Sequence, residues 1–115
     1  AWIIAVIVGM AAGPVFAEEK FGVTVYPGAK YDDATSKALK ESMGVNGFCY
    51  RTNDPVAKVA DFYQKQGLES VGEVTKEGGF FKKGKVHVTM QSPWMNMKTG
   101  SMMKDTLISI VQSDF

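Results

Sequence analysis

The methionine side chains between residues 92 and 104 have the clearest chemical potential in this chain. The stretch, S-P-W-M-N-M-K-T-G-S-M-M-K, contains four of the seven methionines and one of the two tryptophans. A thioether sulfur is neutral and needs no deprotonation, so methionine suits Cu(I) or Ag(I) outside the cytoplasm. A tryptophan ring can cap a bound cation through its face. The pattern predicts a contact or metal-binding region whose members are Trp94, Met95, Met97, Met102 and Met103.

The W-M-N-M run is similar to the tryptophan-plus-methionine site of small periplasmic copper and silver chaperones. This resemblance implies a metal set of four residues: Trp94 as ring cap, Met95 and Met97 as sulfur ligands, and His87 as nitrogen ligand. In that family the tryptophan lies farther from the first methionine, and the fold is a small barrel. Methionine also fills irregular apolar gaps and lines adaptable binding surfaces. We therefore favour packing or a contact surface, with Cu(I) or Ag(I) binding as the alternative.

Catalytic chemistry would depend on very few side chains. His87 is the sole histidine and Cys49 the sole cysteine, and neither a G-x-S-x-G nor an H-E-x-x-H motif is present. A nucleophile and its base must lie within hydrogen-bond reach of each other. His87 alternates with Val86 and Val88, which predicts that it faces away from the strand's core side. A Cys/His enzyme is thus our third interpretation, and we expect no enzymatic activity.

Charge and cysteine content restrict the possible partners. The formal net charge is +1, whereas a dedicated nucleic-acid surface needs clustered Lys and Arg. We therefore expect no nucleic-acid partner. One cysteine permits no internal disulfide.

The first seventeen residues carry no charge and are followed at once by Glu18 and Glu19. This composition predicts a signal peptide, residues 1–17, truncated at its start and cleaved between Ala17 and Glu18, with an uncleaved membrane anchor as the alternative. We expect a periplasmic or secreted protein without a stable membrane span after cleavage. Residues 18–115 have the length of a single small domain.

Two helices are predicted in that domain. Residues 33–43 follow a candidate N-cap, Asp32 or Asp33, and precede Gly44. Residues 55–66 give the stronger pattern, with Asp54 as N-cap, Pro55 at the first helical position and Gly67 after the end. One apolar stripe follows helical spacing in this second segment: Val56, Val59, Ala60 and Tyr63.

Strand patterns dominate the rest of the chain. Alternation predicts strands at 46–51, 70–75, 79–82 and 85–91, and apolar residues on both faces predict a central strand at 105–112. The sequence therefore predicts an α+β domain, an antiparallel sheet packed against the strong helix at 55–66, with a weaker N-terminal helix at 33–43. The segment 92–104 is expected to be a loop.

Two further sequence features bear on function. Phe80 and Phe81 are neighbours on a strand, so one ring points to each face, which extends the expected contact region over residues 80–103. The Y-P-G-A run at 26–29 and the Y-R-T-N-D-P-V-A-K-V-A-D-F-Y run at 50–63 resemble a loose group of small exported bacterial α+β domains. We expect a binding or accessory module of the cell envelope, whose partner is an envelope protein or a small ligand.

Overall fold

The computed structural model describes residues 18–44, 46–96 and 98–112, and the predicted signal peptide and Met97 lie outside these ranges. It has mixed α/β content, with two helices and antiparallel sheets, as predicted. The elements in chain order are β1 (Glu19–Lys20), β2 (Val23–Thr24), β3 (Lys30–Tyr31), α1 (Asp33–Met43), β4 (Asn46–Thr52), α2 (Val56–Lys65), β5 (Glu69–Ser70), β6 (Gly78–Lys83), β7 (Val86–Gln91), β8 (Trp94–Met95), β9 (Met102–Met103) and β10 (Thr106–Gln112).

The main sheet has six antiparallel strands in the order β3-β4-β10-β7-β6-β5. The strand β10 pairs with β4 on one side and β7 on the other, so the predicted central strand is confirmed. Two short ribbons, β1–β2 and β8–β9, complete the described strands. The described helices include none long and apolar enough to cross a membrane.

The boundaries of α1 follow from its end residues. The Asp32 carboxylate accepts a hydrogen bond of 3.1 Å from the Thr35 N–H, which satisfies one of the free donors of the first turn. Gly44 ends the helix with a φ of 66°, a left-handed conformation that glycine adopts without penalty.

The start of α2 differs from the prediction by one residue. Pro55 stands at the N-cap without a side-chain hydrogen bond, so the assignment of Asp54 to the N-cap is wrong. The Asp54 carboxylate instead accepts a hydrogen bond from the Tyr26 hydroxyl, which removes it from the helix end. The predicted stripe is confirmed, because its four residues, Val56, Val59, Ala60 and Tyr63, are all buried.

The face of the six-stranded sheet that packs on α2 is called the core face. Its side chains alternate along the strands and form the main apolar cluster with the helix, including Tyr50, Phe81, Val88, Ile108 and Ile110. Burial of such side chains contributes about 1.5 to 3 kcal/mol each, which makes this layer the main source of stability.

Two strand predictions need correction. The predicted strand at 70–75 is reduced to Glu69–Ser70, because Gly72 turns the backbone with a φ of 80°. The predicted loop at 92–104 contains the β8–β9 ribbon, in which Trp94 pairs with Met103 and Met95 with Met102. Alternation along this ribbon separates neighbouring side chains to opposite faces.

Candidate functional site

The second face of the six-stranded sheet, called the groove face, is only partly covered. Register places four side chains in one row across it: Cys49 of β4, Ser109 of β10, Thr89 of β7 and Phe80 of β6. Residues on one side of a pleated strand recur with a period of two, so β7 adds two more side chains to the same face, His87 and Gln91.

The helix α1 covers the β4 side of the groove face and forms one wall. The Cys49 N–H donates to Ser36 Oγ at 2.8 Å, and the Asp32 N–H donates to the Cys49 carbonyl at 2.8 Å. Gly47 permits this close approach, since a Cβ atom there would lie 2.8 Å from Leu39 Cδ2. The wall residues follow helical spacing: Thr35, Ala38, Leu39, Ser42 and Met43.

The β8–β9 ribbon closes one end of the groove and is anchored by Asp105. Trp94 Nε1 donates to Asp105 Oδ1 at 2.8 Å, and Arg51 Nε donates to Asp105 Oδ2 at 2.7 Å. The Arg51 guanidinium carbon lies 5.1 Å from the centre of the Trp94 ring, a cation–π contact. Trp94 is therefore a buried anchor, and the opposite side of its strand presents Met95 to the groove.

Between these walls lies an open groove with a volume of about 610 Å³. Among residues 18–44, 46–96 and 98–112, no Asp, Glu, Lys or Arg lines it. The lining residues are Thr35, Ala38, Leu39, Ser42, Met43, Cys49, Phe80, His87, Thr89, Gln91, Met95, Leu107, Ser109 and Val111.

Large apolar side chains project at the rim of this groove. Met43 is 65% exposed, Met95 54% and Phe80 39%, and each comes from a different element. A soluble domain rarely leaves such side chains together in water, and methionine adapts its shape to a bound surface. The groove thus combines an uncharged floor with adaptable apolar edges.

Cys49 and His87 both line the groove but do not form a pair. The strand β10 lies between β4 and β7, and His87 is offset from Cys49 by two residues along the strands, so the two residues lie about 12 Å apart. Burial raises the pKa of the Cys49 thiol, although its contacts with Ser109 and Ser36 oppose this effect. The Cys49 sulfur lies 3.5 Å from Ser109 Oγ. This geometry leaves the thiol protonated and without a neighbouring base.

The structure brings together only some of the predicted contact residues. Phe80 and Met95 lie at the groove rim, whereas Phe81 is buried on the core face and Trp94 is buried beneath the ribbon. Met103 packs beside Trp94. Met102 is 56% exposed opposite Met95. The predicted contact surface thus retains Phe80, Met95 and Met102 at the surface, and Met97 lies outside the described residues.

The metal set implied by the chaperone resemblance is described only in part, because Met97 lies outside the described residues. Met95 and His87 both line the groove, but the Trp94 ring is buried and stacks against Arg51. Within residues 18–44, 46–96 and 98–112, no cluster of three or more His, Cys, Asp and Glu side chains is arranged to hold a metal ion.

The sequence patterns did not identify the groove residues that lie outside the segment from 80 to 103. The helix α1 contributes Ala38, Leu39 and Met43, and β10 contributes Leu107 and Val111. The available signal was the apolar pattern on both faces of β10, because a strand with two apolar faces needs cover on each.

A second cleft of about 700 Å³ lies near Arg51, and its character is polar. Three of its charged groups are engaged with one another: Arg51 Nη1 lies 3.7 Å from Asp32 Oδ2, and Asp105 accepts from Arg51 Nε. Asp54 accepts from the Tyr26 hydroxyl. These contacts join β4 to the loops around it, so they explain these four side chains as structural.

Comparison with known proteins identifies no relative of this chain: no protein-family model, no curated protein and no solved structure matches it. The resemblances to exported α+β domains and to copper and silver chaperones therefore stay predictions.

Proposed function

We propose that this protein is a non-enzymatic binding module of the bacterial cell envelope that holds a small uncharged ligand in the groove between α1 and the β8–β9 ribbon. The observation that carries the proposal is the groove's lining, in which the described part of the chain places no Asp, Glu, Lys or Arg and three exposed apolar side chains at the rim. Ligand sites are typically concave, largely apolar and about 300 to 1,000 Å³ in volume. The uncharged segment at residues 1–17 supports a periplasmic or secreted location.

The two walls of the site contribute differently to this function. We propose that α2 is the stronger helix, because it buries four side chains in the core, and that α1 is the weaker, movable wall. Low local stability is common in elements that adapt to a ligand. Hydrogen exchange should be faster for the α1 amides than for those of α2, and equal protection would contradict a movable wall.

A neutral solvatochromic dye, Nile red, tests the site directly. We expect saturable one-to-one binding with a blue-shifted emission. Phe80→Ala should weaken binding about tenfold, since losing one partly buried aromatic contact removes about 1.4 kcal/mol. Tyr31→Ala is the matched control, because Tyr31 is an aromatic side chain that is 49% exposed and lies outside the groove.

Two results of the dye titration would refute the proposal. Non-saturable binding would mean that the dye only coats exposed apolar surface. Equal weakening by Phe80→Ala and Tyr31→Ala would place the dye outside the groove.

A second candidate function is Cu(I) or Ag(I) binding at the ribbon. Met95 and Met102 are directly opposite each other, and both are more than half exposed, at 54% and 56%. Directly opposed side chains have Cβ atoms about 4.5 to 5.5 Å apart, which lets two thioethers approach one soft cation. This pair shares Met95 with the ligand set that the resemblance implied, Trp94, Met95, Met97 and His87, and adds Met102.

Competition for Cu(I) against a chromogenic chelator under reducing conditions tests this second function. Metal binding at the pair predicts that Met95→Leu/Met102→Leu abolishes the competition, since leucine has no lone pair to donate. The Met43→Leu variant is the matched control, because Met43 is an exposed methionine of α1. Competition that survives in the double-Leu protein would refute a site at this pair.

A further inference from the structure

The groove has two chemically different sides. The α1 and β10 side is mainly aliphatic and presents Leu39, Met43, Leu107 and Val111. The β7 side presents three hydrogen-bonding side chains from alternate positions of one strand: His87, Thr89 and Gln91. A ligand that fills the groove must therefore have an apolar part and a polar part.

The hydrogen-bonding capacity of the β7 side is unused within the described residues. None of the three β7 side chains makes a hydrogen bond there, and His87 Nδ1 is buried without a partner. A buried polar atom without a hydrogen bond destabilises the fold, because it has lost its bonds to water and gained none in return. Donors and acceptors on a ligand, or an ordered water that it holds, would satisfy these groups.

Charge restricts the polar part of the ligand. A headgroup charge inside the groove would meet no carboxylate, ammonium or guanidinium group from the described lining residues. Removing an unpaired charge from water is strongly unfavourable, because the described lining offers no compensating charge. The hydrogen-bonding part of the ligand is therefore neutral.

The dimensions indicate an elongated ligand. The wall from Thr35 to Met43 extends over about 12 Å of helix at 1.5 Å per residue. The strip from His87 to Gln91 extends over about 14 Å of strand at 3.4 Å per residue. A single hydrocarbon chain matches such a trough, and the rim methionines can adjust to its bends.

We infer that the groove binds a neutral single-chain amphiphile, a hydrocarbon chain with an uncharged hydrogen-bonding head, as in a monoacylglycerol or an alkyl glycoside. The chain lies against α1 and β10, and the head bonds to the β7 strip. This inference rests on the proposed function, since it assigns the ligand class of the same groove.

A headgroup series at constant chain length provides the test. Decyl maltoside, decyl sulfate and decyltrimethylammonium are titrated into the full chain by calorimetry, each below its critical micelle concentration. We expect one-to-one binding of the maltoside at least about tenfold tighter than binding of either charged analogue, a difference of about 1.4 kcal/mol.

Variants locate the bound headgroup. Thr89→Val keeps the side-chain shape but removes the hydroxyl, and it should weaken maltoside binding about fivefold. Gln91→Glu should also weaken maltoside binding. Gln64→Glu is the matched control, because Gln64 is exposed on α2, which packs on the core face. Melting curves establish that each variant is folded.

The outcomes separate the ligand class from the proposed function. If Nile red binds in the groove but no decyl amphiphile does, or if a charged analogue binds as tightly as the maltoside, the ligand class is refuted and the binding site stands. Unchanged maltoside affinity in Thr89→Val refutes the assignment of the head to the β7 strip. If neither dye nor amphiphile binds, both proposals are refuted.

Discussion

Gly47→Ala tests whether α1 lies on β4 as closely as the groove requires. A Cβ atom at position 47 would lie 2.8 Å from Leu39 Cδ2 and 3.1 Å from Val111 Cγ2, both tighter than normal van der Waals contact. Both neighbours line the groove, so the substitution acts on its wall and its floor together.

The magnitude is the balance of two effects. Overpacking of this kind lowers the free energy of unfolding by about 1 to 3 kcal/mol, because neighbouring side chains must shift. Replacing glycine by alanine in an allowed backbone conformation raises the free energy of unfolding by about 0.4 to 1 kcal/mol, because the unfolded chain has less conformational entropy. We expect a net loss of about 1 to 2 kcal/mol in the free energy of unfolding, against a typical total of about 5 to 15 kcal/mol.

Urea unfolding, followed by circular dichroism, measures this loss. Leu39→Ala removes the closest contact, so a double-mutant cycle should show that Gly47→Ala costs about 1 kcal/mol less in the Leu39→Ala background. A Gly47→Ala protein at least as stable as the native chain would refute the close docking of α1. If the two substitutions have additive effects on the free energy of unfolding, the strain from Gly47→Ala does not arise at Leu39.

Three further predictions concern the core, its pH dependence and export. Val59 is fully buried, so Val59→Asp should cost several kcal/mol and abolish folding by circular dichroism, whereas Lys58→Asp on the exposed side should stay folded. Burial, then the hydrogen bond and charge of Asp54, raise the pKa of Tyr26 to about 12. Because the folded-state pKa lies above the ordinary value of about 10, the contribution of Tyr26 to the free energy of unfolding is fully present below pH 10 and is lost as the pH rises toward 12. Tyr26→Phe should therefore make the decrease in the free energy of unfolding over this pH range shallower, as measured by urea titrations. Export should leave a protein that begins at Glu18 by intact-mass measurement, and a membrane-bound species retaining Trp2 would contradict cleavage.

Local patterns in the sequence were sufficient for features that depend on near neighbours. The stripe from Val56 to Tyr63 marks the buried side of α2, because helical period places those residues on one face whatever lies opposite. Gly44 marks the end of α1 because the left-handed backbone conformation that ends the helix depends only on the residue at that position. Alternation separates His87 from buried Val86 and Val88 in the same way.

Only the tertiary structure decided which distant residues form the groove. The row from Cys49 to Phe80 depends on the register of four strands, and strand order is set by contacts between segments far apart in sequence. The sequence made Trp94 a candidate surface residue, yet Asp105 and Arg51 hold it inside the fold. The physical reason is that local period determines which side of an element is apolar, whereas packing between elements determines which apolar side stays open to water.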